Sequence, residues 1–187
     1  MLSEFQRQKL RQLFRLYDVN QDGAIHQLDF EIAAARLSID YGLELDSTEA
    51  EQIRTIYTDY WGYLQRYMDS DRDKAISEQE FVESHEFFMR QEESLEALIL
   101  SMSEYIIQLT DRNGDGMINR AEYVHYLIAH NISSKDAESA FDVLDHNNSN
   151  TLTHDEILNS VRVFLTSGVS TMPGNRLFGD KGEEAKK

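Results

Sequence analysis

The chain has 187 residues with a net charge of −16, one proline and no cysteine. The absence of cysteine excludes disulfide bonds and thiolate metal sites, and an acidic chain without a basic stripe is unsuited to binding nucleic acid. No apolar run approaches the roughly 20 residues that span a bilayer, and the sequence starts with neither a signal-peptide pattern nor a Met-Gly myristoylation signal. We therefore expect a monomeric cytoplasmic protein without integral membrane association.

Apolar residues recur every three or four positions on both sides of four short polar segments, which is typical of amphipathic helices. The helices entering these segments carry Leu10, Leu13, Phe14 and Tyr17; Trp61, Leu64 and Met68; Ile106 and Ile107; and Ala137, Ala140, Phe141 and Leu144. The helices leaving them carry Phe30, Ala33, Ala34 and Leu37; Phe81 and Phe88; Tyr123, Tyr126 and Leu127; and Ile157, Val161 and Phe164. Ser3, Asp46 and Ser133 each precede a polar residue three positions on, so we predict that they are N-caps. The pattern predicts eight helices whose apolar stripes form a core.

The four polar segments are twelve-residue loops with oxygen-bearing side chains at places one, three, five and twelve, the ligand spacing of an EF-hand calcium site. A backbone carbonyl at place seven supplies a further oxygen. The predicted metal ligands are Asp18, Asn20, Asp22, Ala24 and Asp29 in the first loop (18–29); Asp69, Asp71, Asp73, Ala75 and Glu80 in the second (69–80); Asp111, Asn113, Asp115, Met117 and Glu122 in the third (111–122); and Asp145, Asn147, Ser149, Thr151 and Glu156 in the fourth (145–156).

The first loop has Gly23 at place six, where the chain must turn with positive φ. It departs from the pattern at its end, because Asp29 is one methylene shorter than the usual glutamate and reaches an ion in bidentate fashion less easily. Fewer ligands suit the smaller, six-coordinate Mg²⁺, so we predict a site with a weaker preference for calcium. His26 at place nine is expected to be solvated, since imidazole suits softer metals.

The second loop offers the most carboxylates of the four, but Lys74 occupies place six. A non-glycine residue in the left-handed region costs roughly 1–2 kcal/mol. The Lys74 ammonium group also lies near the acidic ligands. We predict that the second loop binds calcium with reduced affinity.

The third loop meets every requirement of the pattern, with Gly116 at place six and the apolar Ile118 at place eight. In paired loops the place-eight side chain joins a short antiparallel bridge, so Ile118 should be buried and should not contact metal. We predict that the third loop is the strongest calcium site.

The fourth loop has only two carboxylates among its predicted ligands, with Ser149 at place five and Asn150 at place six. Asparagine tolerates positive φ, so the turn can form, but affinity for a divalent cation follows the charge of the ligands. We predict a structural loop, bridged through Leu152 to Ile118, in preference to a calcium site of micromolar affinity.

The loops fall into two pairs separated by one long predicted helix over residues 92–110. We predict an N-terminal EF-hand pair over 1–91, a C-terminal pair over 92–166 and a tail over 167–187. The predicted fold is all-α, with four helix–loop–helix units in two pairs packed as one compact globule and short antiparallel bridges between paired loops. Two or three calcium ions are expected to bind strongly.

The first-place aspartates lie 51, 42 and 34 residues apart, so the first pair contains a long insertion. Together with the opening Leu-Ser-Glu-Phe-Gln-Arg-Gln-Lys (2–9) and the ending Gly-Asn-Arg-Leu-Phe-Gly (174–179), this spacing resembles the sarcoplasmic calcium-binding proteins and the similar calexcitins. The resemblance spans nearly the whole chain and implies a cytosolic buffer of calcium and magnesium. It also implies that Leu177 and Phe178 fold back over apolar surface, whereas residues 182–187 are expected to be disordered.

Two other functions remain open. A sensor would open its helix pairs on calcium binding and present a methionine-rich groove to a protein target. The six methionines are scattered, which favours a buffer, but the calexcitins are associated with signalling. A carrier of an apolar small molecule, as in luciferin-binding proteins of similar fold, would need a cavity, and the aromatic candidates to line it are more simply interpreted as core. They are Tyr57, Tyr60, Trp61, Phe87 and Phe88.

Enzymatic activity is not expected. The histidines His85, His125 and His130 stand on predicted helices without a matched nucleophile or a second catalytic partner. We interpret them as surface or core-edge residues. The carboxylates, although numerous, are explained by the ligand spacing of the loops.

Overall fold

The computed structural model of the protein describes residues 2–179, and the disorder predicted for 182–187 lies outside them. The described chain forms eight α-helices, as predicted. They are α1 (Glu4–Tyr17), α2 (Gln27–Asp40), α3 (Thr48–Met68), α4 (Glu78–Phe88), α5 (Glu92–Thr110), α6 (Arg120–Ala129), α7 (Ser134–Leu144) and α8 (His154–Thr166). A 3-10 helix follows over Pro173–Arg176. Within residues 2–179, none of these helices combines the length and the apolar character that spanning a bilayer requires.

A two-stranded antiparallel sheet joins the loops of each pair. The strands are β1 (Ala24–Ile25) with β2 (Ile76–Ser77), and β3 (Met117–Asn119) with β4 (Thr151–Thr153). In the first sheet the place-eight residue Ile25 lies opposite Ile76, and both are buried. In the second sheet Ile118 lies opposite Leu152, again with both side chains buried. The predicted all-α fold of paired helix–loop–helix units is therefore confirmed.

Two of the three predicted N-caps are confirmed, since the hydroxyls of Ser3 and Ser133 each accept a backbone N–H three residues on. The prediction for Asp46 is wrong by one residue. Ser47 has the extended backbone of an N-cap, and its Oγ accepts the N–H of Ala50 at 3.1 Å. Asp46 and Ser47 are both polar, and the sequence alone allows either of them as the N-cap. Ser47 takes this position in the structure, where the helix that follows it buries Ala50.

One cluster of buried side chains runs through both helix pairs. Tyr17 and Tyr60 of the first pair share a hydrogen bond between their hydroxyls at 3.1 Å. The ring of Tyr60 stacks on that of Tyr105 in α5, with centroids 4.0 Å apart. Tyr57 in turn stacks on His130 at the end of α6, with centroids 5.7 Å apart. The two pairs therefore meet through a shared aromatic core.

His85 and His130 are almost fully buried, which corrects their interpretation as surface or core-edge residues. In each ring Nδ1 lies close to the carbonyl oxygen four residues earlier, at 2.7 Å for His85 and 2.9 Å for His130. A neutral ring that donates its Nδ1–H to this carbonyl can be buried, because the buried N–H keeps a partner. His125 is half-buried, with its ring centroid 5.4 Å from that of Tyr41.

The buried rings predict that stability falls below neutral pH. Burial lowers the pKa of His85 and of His130 from 6.5 to about 4, against the opposing effect of their backbone hydrogen bonds. Well above pH 6.5 both rings are neutral in the folded and the unfolded chain. As the pH falls from there toward 4, the unfolded chain takes up protons first, so the free energy of unfolding drops by on the order of 3 kcal/mol per ring.

Urea denaturation in EDTA, compared between neutral pH and about pH 5, measures this loss. A His85→Phe variant should lose less stability than the wild type between neutral pH and pH 5, because it has one buried histidine with a lowered pKa instead of two. An exposed histidine provides the control, and His146→Gln should follow the wild type. Equal losses in all three proteins would contradict the assignment.

The C-terminal segment packs back onto the helices. Leu177 and Phe178 are buried, and the ring of Phe178 meets that of Phe164 in α8 edge-on, with centroids 4.9 Å apart. The hydroxyl of Tyr123 in α6 donates to the carbonyl oxygen of Leu177 at 2.5 Å. The tail therefore covers apolar side chains of the C-terminal pair.

Lys9 links the tail to α1. Its buried Nζ donates to the carbonyl of Ser167 and to Oδ1 of Asn175, each at 2.8 Å. Gly174 permits the close approach of the tail to α8, because a Cβ at this position would lie 2.7 Å from that of Val163. Residues 167–179 of the tail are thus fixed by the polar contacts of Lys9 and by the burial of Leu177 and Phe178.

Candidate metal sites

A common set of backbone hydrogen bonds shapes all four loops. The place-three side-chain oxygen accepts the N–H of place five, as Asn113 Oδ1 does from Asp115 at 2.9 Å, and the same bond occurs in the other three loops. Where place five is aspartate, its Oδ1 accepts the N–H of place seven, as Asp115 does from Met117 at 2.8 Å. Such Asx turns direct alternate side chains to the inside of the loop, where ligands are needed.

The closing carboxylate also caps a helix. Place nine is the N-cap of the exiting helix and place twelve is its third residue, so Glu122 Oε2 accepts the N–H of Asn119 at 2.9 Å. The same bond forms at place nine of the other loops, with His26, Ser77 and Thr153 as donors. The capping-box geometry therefore fixes the position of the place-twelve ligand relative to the helix that follows it.

Three carboxylates converge in the second loop. Oxygens of Asp69, Asp71 and Asp73 all lie within 4.8 Å of one another. Asp69 Oδ2 accepts the N–H of Lys74 at 3.1 Å, whereas its Oδ1 is buried and has no hydrogen-bond partner within residues 2–179. Lys74 adopts the predicted left-handed conformation, with φ 73°. A bound cation would satisfy the unpaired oxygen and offset the repulsion among the carboxylates.

Glu80 closes the second loop and is held by two serines. Besides the backbone N–H bonds, the hydroxyls of Ser70 and Ser77 donate to its two oxygens at 2.8 Å each. Partial burial raises the pKa of Glu80, but these hydrogen bonds outweigh it and lower the pKa to about 2. The carboxylate is thus ionised at neutral pH. Ser70, at place two, was missed by the sequence analysis because the EF-hand pattern assigns no ligand role to that place.

The third loop presents a comparable oxygen at place one. Asp111 Oδ2 accepts the N–H of Gly116 at 3.1 Å, and Gly116 has φ 80° as its place requires. Asp111 Oδ1 is buried and unpartnered within the described chain. A second contact was not foreseen from sequence, since Nε2 of His154 lies 2.9 Å from Asp111 Oδ2. No ligand pattern identifies place ten of the fourth loop, where His154 stands.

Both place-one and place-twelve carboxylates of the first loop are already hydrogen-bonded. Asp18 accepts the N–H groups of places five and six at 3.0 and 3.1 Å. Asp29 is buried and accepts two N–H groups, at 3.0 and 2.8 Å. Burial raises the pKa of Asp29, with the two N–H donors opposing it and neighbouring carboxylates adding to it. His26 is partly exposed, and its Nδ1 lies 3.7 Å from Asp22 Oδ1.

In the fourth loop the polar groups satisfy one another. Asp145 accepts the N–H groups of places five and six through both oxygens, each at 2.9 Å. The hydroxyl of Ser149 donates to the carbonyl of Thr151 at 2.8 Å, so the predicted place-five and place-seven ligands are bonded together. This arrangement is compatible with the structural role predicted for the loop.

The donor set of the loops is chemically suited to one class of cofactor. Each predicted ligand atom is an oxygen, from carboxylate, amide, hydroxyl or backbone carbonyl, which hard divalent cations such as Ca²⁺ and Mg²⁺ prefer. The unpartnered oxygens of Asp69 and Asp111 show that the second and third loops fit such an ion. Which residues ligate it, and in how many loops, stays a prediction.

The chain is similar in sequence to known proteins. Residues 7–84 match the family described as an EF-hand domain pair. Calerythrin from Saccharopolyspora erythraea is 27% identical over 158 residues, which cover 83% of this chain and 89% of calerythrin.

Two solved structures are similar in fold. Coelenterazine-binding protein from Renilla muelleri, in the calcium-loaded apo form, has a TM-score of 0.77 at 24% identity, covering 96% of this chain and 99% of its own. A sarcoplasmic calcium-binding protein from amphioxus has a TM-score of 0.69 at 22% identity, covering 97% of this chain and 100% of its own.

Proposed function

Because the chain is a calcium-binding EF-hand protein, we propose that it acts as a cytoplasmic, monomeric buffer of Ca²⁺ and Mg²⁺. The observation that carries this proposal is the burial of Leu177 and Phe178 in the tail. A sensor must expose an apolar groove to its target when calcium binds. Here the tail covers part of the C-terminal pair, and the shared aromatic core occupies the space between the pairs.

The proposed sites follow the ligand patterns. The third loop is the strongest calcium site, and the second loop binds calcium through its converging carboxylates. The first loop takes Mg²⁺ more readily, because Asp29 is short and already accepts two N–H groups. The fourth loop does not hold calcium at micromolar levels. Two or three ions therefore bind strongly.

The proposal retains the division of the chain predicted from sequence. Gln91 is the N-cap of α5, which supports a boundary between an N-terminal pair (1–91) and a C-terminal pair (92–166). Residues 167–187 form the third segment, the tail. The shared core means that these are parts of one folding unit rather than separable domains.

Dye binding tests the buffer proposal. The fluorescence of an apolar dye such as ANS should show no rise when saturating calcium is added to protein in EDTA, because no new apolar surface opens. A Phe178→Ala variant serves as the matched control, since it uncovers part of the surface under the tail and should bind more dye in calcium. A large calcium-dependent rise in the wild type would contradict the buffer and favour the sensor.

The distribution of methionines also supports a buffer. Met68 and Met102 are buried in the core, whereas Met117 and Met172 are exposed at separate places, on the third loop and in the tail. Sensor grooves concentrate flexible methionines on one apolar surface. The alternative of a calexcitin-like sensor with a protein target therefore has less support.

The carrier alternative has less support still. Tyr57, Tyr60 and Trp61 are buried and pack against other rings, as in the 4.0 Å stack of Tyr60 on Tyr105. Phe87 is 55% exposed and, together with Phe88, lines a groove that opens to the surface. The candidate residues of a ligand cavity thus serve as core or surface, and a luciferin-like molecule copurifying with the protein would be needed to support the carrier.

A further inference from the structure

His154 connects the two loops of the C-terminal pair. It is the first residue of α8 and stands at place ten of the fourth loop. Its Nε2 lies 2.9 Å from Oδ2 of Asp111, the place-one residue of the third loop. The Asp111 side chain is only 7% exposed, so this contact is made at the edge of the third loop's interior.

The chemistry of the two groups determines which of them donates the hydrogen bond. An ionised carboxylate accepts hydrogen bonds and cannot donate, so His154 Nε2 must carry the proton for this approach to be attractive. Asp111 Oδ2 then receives two donors, the His154 ring and the N–H of Gly116 at 3.1 Å. Two donors on one oxygen fix the plane of the carboxylate. Oδ1, which has no partner in the described chain, is left for an ion.

The corresponding contacts elsewhere are different. In the N-terminal pair, place ten of the second loop is Glu78, which forms an ion pair with Arg11 at 3.2 Å. Place ten of the third loop is Arg120, which pairs with Asp142 of α7 at 2.7 Å. The place-ten residue of the fourth loop therefore contacts a predicted ligand of the third loop, whereas the place-ten residue of the third loop pairs with α7.

We infer that His154 is a positioning residue for the calcium ion of the third loop, and that the fourth loop contributes to calcium binding at its neighbour. This inference rests on the proposed site in the third loop. Residues that hydrogen-bond to a metal ligand orient it and raise its affinity for the ion. A loop with few ligands of its own thus has a role in binding.

The amide resonance of Gly116 reports on this carboxylate, because its N–H donates to the same Asp111 oxygen. Calcium titration followed by ¹H–¹⁵N NMR should show the Gly116 midpoint moving to about 10-fold higher calcium in His154→Ala. His154→Gln retains a side-chain N–H donor and should recover part of the affinity. His146→Ala, at an exposed histidine of the same loop, is the matched control and should not move the midpoint.

The first loop supplies an internal reference in the same spectra. The N–H of Gly23 donates to Asp18 at 3.1 Å, far from the substituted residue in sequence, and its midpoint should not change in any variant. If Gly116 fails to respond to calcium in the wild type, the proposed function of the third loop fails. If it responds, the inference is overturned by an unchanged midpoint in His154→Ala, by an equal loss with Gln, or by an equal shift at Gly23.

Discussion

Replacing Glu122 with glutamine is expected to remove one strong calcium site. The place-twelve carboxylate supplies charge and up to two oxygens to the ion, whereas an amide supplies one neutral oxygen. The affinity of the third loop should fall on the order of 100-fold, because it follows the ligand charge. The fold should survive, since the glutamine amide oxygen can still accept the N–H of Asn119 that Glu122 Oε2 accepts at 2.9 Å.

Calorimetric titration measures the number of strong sites, which we expect to be two or three in the wild type and one fewer in Glu122→Gln. The matched control is Glu156→Gln, the same change at place twelve of the fourth loop, which should leave the number of strong sites unchanged. Mg²⁺ should compete most at the first loop. Four equal sites in the wild type, or an unchanged stoichiometry in Glu122→Gln, would contradict the ranking of the loops.

Replacing Phe178 with alanine is expected to lower the free energy of unfolding by about 3–5 kcal/mol, the usual cost of truncating a buried phenylalanine. Phe178 is fully buried and meets the ring of Phe164 edge-on, so the change removes both transfer free energy and an aromatic contact. Urea denaturation in saturating calcium gives the difference, provided that the slope against denaturant is unchanged.

Val169 offers a matched comparison within the tail. Its side chain is 58% exposed, and Val169→Ala should change stability by no more than about 0.5 kcal/mol. Similar, small effects of both substitutions would show that the tail does not contribute to the core. In that case the covered apolar surface would no longer favour a buffer over a sensor.

Local patterns explain why much of the fold was predictable from sequence. The left-handed turn at Gly116 and the bridge between Ile118 and Leu152 follow from twelve-residue spacing, and the helices follow from apolar periodicity. The burial of His85 also has a local signal in the sequence. His85 lies four residues after Phe81 and three before Phe88, on the apolar face of α4.

Other features depend on packing between distant segments and have no local signature. His154 and Asp111 are 43 positions apart in the sequence, and only the antiparallel pairing of β3 and β4 brings them together. The choice between Asp46 and Ser47 as N-cap likewise depends on which register of α3 fits the core. The spacing of residues within one loop determines neither the contact between His154 and Asp111 nor the N-cap of α3.

The stack of Tyr60 on Tyr105 joins the halves of the molecule through buried rings, and a single cluster of buried side chains extends to both sides of it. We expect such a chain to unfold as one cooperative unit instead of in two separate halves. If the proposed ion binds in the third loop, we therefore expect it to protect the N-terminal helices from thermal unfolding as well, although it touches none of them. Ion binding in the third loop and the resistance of the N-terminal helices to proteolysis would then be thermodynamically linked.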